Sequence, residues 1–403
     1  MINTADVVVI GGGVIGAAVS YYLAKSGLDV CSVEKKGIAD GTSSRCDGHV
    51  ALYDSVPGNH CKLSKKSLEF FPELSDELGV DIGWAQDGTL LLAESEEEYE
   101  VLKKHCALMV EKESLPYRIL DRNDIQEIEP HVSKDVVGGL DVACDGTLNP
   151  MALGQGFSYA AQKLGAKVLV YTSVTGIKLN SRGQVEKVVT DRGDIATTKV
   201  VNAAGVWAPE IGRMVGLDVP IKPRQGHIIV GQRTFQITKR PVCEFGYIMA
   251  KLETGGYKRQ VTAEMEAFGV ALVMEPTEAG NFIFGSSRRF VGMDVSSDNK
   301  VLKAMAQRAI RFFPILRELN AIRTYVGCRP WTPDHSPIIS GTEIPGFYIA
   351  AGHEGNGIGM SAMTGKLMSE IICDIPASIS VKSFGWDRFS DGRLNEKAVH
   401  AVD

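Results

Sequence analysis

Val7-Val8-Val9-Ile10-Gly11-Gly12-Gly13-Val14-Ile15-Gly16 stands close to the start of the chain, a β-branched tetrapeptide followed at once by a glycine cluster. A continuous Val/Ile run is the pattern of a strand buried on both faces, as in a parallel sheet. Gly11, Gly13 and Gly16 fit the spacing GxGxxG. Residues 17–25 have helical composition and stop before Gly27, which suits the position just past a helix C-terminus. A second strand, 29–33, ends in Glu34. Each part has a physical task. Gly11 permits a tight turn, Gly13 lets backbone approach a pyrophosphate, and Gly16 lets helix and strand pack closely. The helix N-terminus faces phosphate charge, and Glu34 accepts hydrogen bonds from ribose hydroxyls. Strand, glycines, helix, strand and acid fall within about 30 residues, the size of one βαβ unit, which predicts a dinucleotide site. Glu34 argues for a free ribose, so FAD or NAD rather than NADP. The next segment, Gly41-Thr42-Ser43-Ser44-Arg45, opens no second regular βα unit. Small hydroxyl residues and an arginine suit another pyrophosphate contact and favour FAD; an ordinary polar turn is the plainer reading.

The composition sets the frame around this end. At 403 residues the chain is long enough for two or three domains. Hydrophobic residues at 44% and charged residues at 23% are those of a globular protein, which excludes disordered and collagen-like classes. Lys and Arg number 43 and Asp and Glu 49, so a net charge of -6 gives no reason to propose nucleic acid or an anionic membrane as partner. The eight cysteines form no CxxC pair and no zinc or iron–sulfur spacing, so no metal site is expected, and they read as reduced cytoplasmic thiols. No basic region precedes Asp6, so no signal peptide is expected. The apolar stretch 7–19 falls short of the about 20 residues that a bilayer requires, so no membrane span is expected. No internal repeat is visible.

Four further segments carry a family pattern. The first is Asp145-Gly146-Thr147-Leu148-Asn149-Pro150, with a helix to Leu164 and a strand at 168–171. The second is Val200-Val201-Asn202-Ala203-Ala204-Gly205-Val206-Trp207-Ala208, then Pro220-Ile221-Lys222-Pro223-Arg224-Gln225-Gly226. The third is Gly327-Cys328-Arg329-Pro330 with Thr332-Pro333-Asp334 and Pro337-Ile338-Ile339. The fourth is Ala350-Ala351-Gly352-His353 with Gly355, Asn356, Gly357, Gly359 and Gly365. In their order and spacing the chain resembles the D-amino-acid oxidase/glycine oxidase/sarcosine oxidase superfamily of flavoproteins, from Asp6 to about Ile372; the residues beyond carry no signal.

The resemblance implies an α/β (α+β) fold in which a Rossmann-like FAD-binding domain interleaves with an antiparallel-sheet substrate domain. The first comprises residues 1–83, 143–217 and 323–403, the second 84–142 and 218–322. It implies FAD contacts at Gly11, Gly13, Val14, Ile15, Gly16, Glu34, Lys35, Thr42, Ser43, Ser44, Arg45, Gly48, His49, Val174, Ala203, Ala204, Gly205, Trp207, Arg329, Gly355, Asn356, Gly357 and Ile358. Local patterns agree. Val200-Val201 with Ala203-Ala204-Gly205 is a buried strand ending where backbone passes close to something bulky. The glycine turn at 352–357 leads into a helix at 358–372, whose N-terminus suits the electron-rich N1/O2 edge of a flavin. In the second domain, 97–112 reads as an amphipathic helix, and 226–231, 247–252, 270–275 and 282–285 read as strands. Residues 299–313 read as a helix with Val301, Leu302, Met305, Ala309 and Phe312 on one face, stopped by Pro314.

Arg329 is the main candidate for substrate contact, because a guanidinium binds a carboxylate with two parallel hydrogen bonds. In the resembled family the arginine at this Arg-Pro position anchors the substrate carboxylate beside the flavin. Tyr247, on an expected strand, is placed to donate to the same carboxylate, and His49 to meet substrate or flavin. His227 and His353 are weaker candidates, and Asp47 is disfavoured because it repels an anionic substrate. Some sarcosine oxidase relatives attach flavin through a cysteine one position before Cys328, where this chain has Gly327, so a covalent link is not expected. The implied reaction is oxidation of a C–N bond in an amino or imino acid: a D-amino acid, glycine or an N-alkylglycine, proline or hydroxyproline, or an opine. Monomeric sarcosine oxidases carry a lysine beside the flavin where this chain has Ile283. The nearer resemblance is to β-type catalytic subunits of hydroxyproline, proline or opine dehydrogenases and of hydrogen cyanide synthase. It implies partner subunits carrying FMN or an iron–sulfur cluster on other chains. A stand-alone hydrogen-peroxide-producing oxidase, a hydroxy-acid or tRNA-modifying FAD enzyme on the same fold, and a non-catalytic FAD-bound subunit stay open.

Overall fold

The structure is a computed structural model and describes residues 3–249 and 259–389. β1 (Val7–Ile10) lies inside a six-stranded sheet and pairs in parallel with β2 (Val30–Val33) on one side and Val200–Asn202 on the other. Lys167–Leu169 extends the sheet beyond β2, and Phe347–Ala351 extends it in parallel beyond Val200–Asn202. Ile338–Gly341 closes that edge antiparallel. The Val run is apolar throughout because the strand is covered twice. Val7 and Val9 pack against α1 (Val14–Lys25) and the helices Pro150–Lys163 and Gly357–Ile372. Val8 and Ile10 pack toward Ile177, Val188 and Ile195 of a three-stranded antiparallel sheet. The helix C-terminus expected near Gly27 is there: the helix is capped by Ser26, and Gly27 has φ +86°.

A second sheet has eight strands. Their order is Ala321–Trp331, Lys222–Gly231, Phe282–Gly285, Val273–Pro276, Val242–Glu244, Thr89–Ala93, Gly138–Val142 and Tyr117–Asp121. It is antiparallel except at one junction, where Val242–Glu244 runs parallel to Thr89–Ala93. Those two strands come from separate passes of the chain, which no hairpin obliges to run in opposite directions. One face packs on helix Asn299–Phe312 through the expected Val301, Met305, Ala309 and Phe312, with Leu302 at the margin. The other face is covered at one end by helix Glu96–Glu113, through Leu102, Cys106 and Met109. At the other end it looks onto the first sheet.

Three expected elements differ. Tyr247 lies in a short helix, Gly246–Met249, not a strand; residues 250–252 lie outside the described residues. Strand pairing ends there because Phe245 N–H donates to Leu92 and Ile248 N–H turns back to Phe245. Burial of Phe245 and Ile248 outweighs the strand propensity of the tyrosine and isoleucine. The strand expected at 168–171 stops at Leu169, and Tyr171 has φ +50°, which ends pairing. The strand expected from 270 begins at Val273, after a stretch in which Ala271 exchanges hydrogen bonds with Ser286.

Candidate functional site

Between the two sheets lies a cleft enclosing about 1930 Å³ free of protein atoms, its open mouth included. Glu34, Lys35 and Trp207 stand among its walls, as do Arg329, Ile228 and Val273 of the eight-stranded sheet.

The glycine turn at β1 is built by close approach. Gly11 has φ +111°, and a Cβ there would lie 2.6 Å from the Ala203 carbonyl oxygen. Gly13 caps α1 in extended conformation, and a Cβ on it would meet the Ser43 hydroxyl at 3.5 Å. That hydroxyl accepts from Val14 N–H at 3.1 Å and so ties the 41–45 segment to the helix N-terminus. The Glu34 carboxylate accepts from Gly12 N–H at 2.6 Å and from Lys36 N–H at 2.7 Å. Each oxygen keeps a lone pair for a ribose hydroxyl. The Lys35 ammonium sits 4.0 Å over the Trp207 ring. At the far end Gly355, Asn356, Gly357 and Ile358 present the N-terminus of helix Gly357–Ile372 to the cleft, and Asn356 donates to Asp54 at 3.2 Å. Anion-binding N–H groups at two helix ends, a fixed carboxylate and an elongated cleft fit FAD.

Of the expected cofactor residues, Gly11, Gly13, Val14, Ile15, Glu34, Lys35, Thr42, Ser43, Arg45, His49, Val174, Ala203, Ala204, Gly205, Trp207, Arg329 and residues 355–358 border the cleft. Gly16, Ser44 and Gly48 do not. A Cβ on Gly16 would fall 1.9 Å from the Gly11 carbonyl oxygen, so this glycine serves packing beneath the turn. Ser44 turns its hydroxyl to the Gly41 carbonyl at 3.1 Å. Gly48 N–H donates to Glu275, and its Cα faces the Leu148 carbonyl.

Arg329 and Gly226 are placed by sheet register. Lys222–Gly231 pairs with Ala321–Trp331 so that Gly226 faces Gly327 and Arg224 faces Arg329. The Arg329 guanidinium lies over Gly226, where a Cβ would come 2.1 Å from Nη1, and Nη1 donates to the Ser287 carbonyl at 3.1 Å. Side chains alternate along a strand. Cys328 therefore points the other way, with its sulfur 4.0 Å from the carbonyl oxygens of Gly292 and Asp294 and outside the cleft wall.

The histidines separate by their partners. His49 borders the cleft, bonds Thr89 Oγ1 through Nε2 at 2.6 Å and stacks on Tyr53 with centroids 5.1 Å apart. Burial holds its pKa below the ordinary value, so the ring is neutral. His353 also borders the cleft and bonds Thr364 at 3.0 Å; burial, with His60 nearby, pushes its pKa down to about 3. His227 lies outside the cleft wall with both ring nitrogens engaged, Nδ1 by the Ser287 hydroxyl at 2.9 Å and Nε2 by Asp298 N–H at 3.3 Å. It pins two segments together. Asp47 borders the cleft, and behind it burial, reinforced by Asp47, holds the Glu275 carboxyl well above the usual range. The backbone of Tyr247 is in the helix described above; its side chain lies outside the described residues.

Sequence reasoning passed over Tyr53, Ser286, Ile228, Val273 and Glu354, all of which border the cleft. Ile228 and Val273 sit in one row across the sheet, through Gly285. Only the strand register reveals that row.

No helix of the described residues is long and apolar enough to cross a membrane. Hydrogen cyanide synthase subunit HcnC of Pseudomonas aeruginosa is 27% identical to the chain, over 96% of it and 97% of the relative. An opine oxidase subunit of Rhizobium meliloti is 28% identical, over 87% and 89%. Among solved structures, L-proline dehydrogenase from P. horikoshii superposes with a TM-score of 0.86 at 26% identity, covering 97% of this chain and 99% of that one. The DAO family model, described as FAD dependent oxidoreductase, matches residues 6–371. With nearly the whole chain matched and a cleft that fits the flavin dinucleotide, the protein belongs to the DAO family of FAD-dependent oxidoreductases.

Proposed function

We propose that the chain oxidises the C–N bond of an amino or imino acid and passes the electrons to partner subunits. The observation that carries this is the Arg329 guanidinium, laid over Gly226 at the cleft wall. When bound, FAD supplies the two-electron acceptor for the hydride leaving the carbon beside nitrogen. Arg329 holds the substrate carboxylate by two charge-assisted hydrogen bonds and so orients that carbon. His49 and His353, both neutral, leave the positive charge at this end to arginine. Hydride transfer needs no dedicated base if the amine binds unprotonated, and water then hydrolyses the imine product. In this reading Tyr247 and His49 assist Arg329, and the contacts of FAD run along the cleft residues named above. In this reading the six-stranded sheet belongs to the FAD domain and most of the eight-stranded sheet to the substrate domain, with strand Ala321–Trp331 crossing the expected boundary at residue 323.

Two relatives support the substrate class by name, a proline dehydrogenase and an opine oxidase subunit. The opine oxidase and hydrogen cyanide synthase relatives are named as subunits, which supports an acceptor on another chain, carrying FMN or an iron–sulfur cluster. Ile283, paired with Glu275 and Val230 in the sheet, puts no cation at that strand position, which supports slow reaction with oxygen.

Two results are expected. The protein purifies yellow and releases FAD on acid denaturation; a colourless protein that reconstitutes only with NAD contradicts the cofactor. In stopped flow, substrate-reduced protein is reoxidised faster by an artificial dye than by oxygen. Reoxidation by oxygen as fast as steady-state turnover, with stoichiometric hydrogen peroxide from the isolated chain, makes it a stand-alone oxidase instead.

A further inference from the structure

On strands Lys222–Gly231, Phe282–Gly285 and Ala321–Trp331, three glycines interrupt the face that looks into the cleft, and protein fills the space at two of them. Gly226 lies beneath the Arg329 guanidinium, and a Cβ on Gly327 would meet Arg45 Cβ at 2.9 Å. Gly285 is the third. It pairs with Val273, so a side chain on it would stand on the same face as Val273. A Cβ there would meet the His227 carbonyl oxygen at 3.5 Å and Ile228 Cγ1 at 3.8 Å, and nothing else within 4 Å outside its chain neighbours. Its φ is not positive, so the backbone does not require glycine either. A glycine in a sheet gives up packing and entropy; where neither backbone nor protein neighbour asks for it, it marks the close approach of another molecule. Ile228 and Val273 flank Gly285 in one row, and both border the cleft. Ile228 is 5% exposed yet belongs to no hydrophobic core cluster among the described residues. The row continues to Tyr325 on one side and Cys243 on the other, so it presents no carboxylate, ammonium or guanidinium.

We propose that Gly285, between Ile228 and Val273, opens an apolar recess in the cleft floor that takes the substituent on the substrate's reacting carbon, and that the missing side chain at 285 sets how large this group can be. The ligand class is a carboxylate-bearing amine with a compact aliphatic or alicyclic group. This rests on the reading that the chain oxidises amino or imino acids with Arg329 on the carboxylate. The spacing suits it. Gly226, under Arg329, stands two residues from Ile228 on the same strand and face. With side chains repeating about 7 Å along a strand and strands about 5 Å apart, the recess lies about 8 Å from the guanidinium. That is the reach of a small amino acid held by its carboxylate. The dinucleotide turn and helix Gly357–Ile372 stand on the six-stranded sheet, the opposite wall, which leaves the floor to the substrate.

The test uses the FAD-loaded full chain and begins with inert carboxylates, read by perturbation of the visible spectrum. Isovalerate and cyclopentanecarboxylate are expected to bind roughly tenfold or more tighter than acetate, since each methylene taken out of water is worth about fourfold. Gly285→Ala is expected to shrink that ratio to about threefold or less, because its methyl occupies the recess. Ile228→Ala removes one wall and lowers the ratio too; it decides the matter if Gly285→Ala does not fold or hold FAD. Equal binding of these anions by wild type, or an unchanged ratio in the deciding variant, overturns the proposal. Loss of FAD from Gly285→Ala, with a wild type indifferent to the size of the anion, gives the recess to the flavin and also overturns it. Anaerobic reduction then compares both enantiomers of alanine, valine and leucine, and proline, with glycine and sarcosine. Faster reduction of wild type by an apolar-substituted amine, with the order turned toward glycine and sarcosine in Gly285→Ala, supports the proposal. Reduction of wild type by glycine or sarcosine as fast as by any of the others overturns the recess and leaves amine oxidation standing. Tighter binding of the apolar carboxylates with no reduction by any amine overturns the oxidation reading and leaves the recess standing.

Discussion

Replacing Arg329 by alanine is expected to leave the FAD spectrum intact and to remove most of kcat/KM. A charged, bidentate contact to a carboxylate is worth about 2–5 kcal/mol of transition-state binding, so the loss is roughly thirtyfold to several-thousandfold. Stability is expected to change little, because what ties this guanidinium to the fold is a bond to the Ser287 carbonyl, a single neutral acceptor. A companion substitution tests position rather than charge. A methyl group on Gly226 would fall 2.1 Å from Nη1 of Arg329. The guanidinium is the far end of a flexible side chain, so Gly226→Ala moves it and spares the sheet. Activity is expected to fall in this variant too, with FAD retained and Arg329 still charged. Steady-state kinetics on the candidate amines, with absorbance spectra to count FAD, provide the measurement. If Arg329→Ala stays within threefold of wild type, the arginine is structural and the carboxylate site lies elsewhere.

The sequence made the dinucleotide end legible because its constraints are local. A buried strand, a turn with positive φ at Gly11 and a helix packed tightly through Gly16 each need particular residues within a few positions. The same holds for helix Asn299–Phe312, whose 3.6-residue pattern names the face that the core covers. The substrate end was harder to read. Arg224 and Arg329 lie on two strands far apart in the sequence, and they meet only because Lys222–Gly231 pairs with Ala321–Trp331 in one particular register. A shift of one residue would turn Arg329 to the side that Cys328 now faces. Tyr247 shows the opposite failure. Its neighbours have strand propensity, but Phe245 and Ile248 find burial in a tight turn, and the helix follows from that packing. Glu354 carries no local signal either: it sits in a glycine-rich turn, with φ +48°, and its 3.3 Å ion pair is with Arg224 on a strand of the other sheet.

Gly16→Ala is expected to have a still larger effect, and its sign separates two physical accounts. Alanine is favoured over glycine inside a helix by about 1 kcal/mol, so an unconstrained position in α1 would gain stability. Gly16 is constrained. A Cβ there would lie 1.9 Å from the carbonyl oxygen of Gly11 and 2.9 Å from its carbon, with the Ala203 methyl at 3.3 Å. Two of these atoms are backbone, and no rotamer moves them. Gly11 cannot yield, since its N–H bonds the Val33 carbonyl at 2.9 Å and its own Cα is pressed against the Ala203 carbonyl. Ala203 is fixed in turn by its N–H bond to Ile10 at 2.9 Å. The helix must therefore lift from the strand, and Val14 N–H, now 3.1 Å from the Ser43 hydroxyl, moves with it. That displaces the N–H groups of the helix N-terminus that the proposed pyrophosphate site relies on. Overpacking alone costs about 1–3 kcal/mol or more, and loss of FAD removes the stabilisation that a tightly bound cofactor adds by mass action. The variant is expected to purify with little FAD and to melt well below wild type. Gly37→Ala is the control, because a Cβ there meets nothing within 4 Å. The ratio of flavin to protein absorbance and the thermal midpoint, each with and without added FAD, measure the outcome. A Gly16→Ala protein that keeps its full flavin and gains stability would show that helix and strand are not in the contact described, and the dinucleotide turn would have to be redrawn.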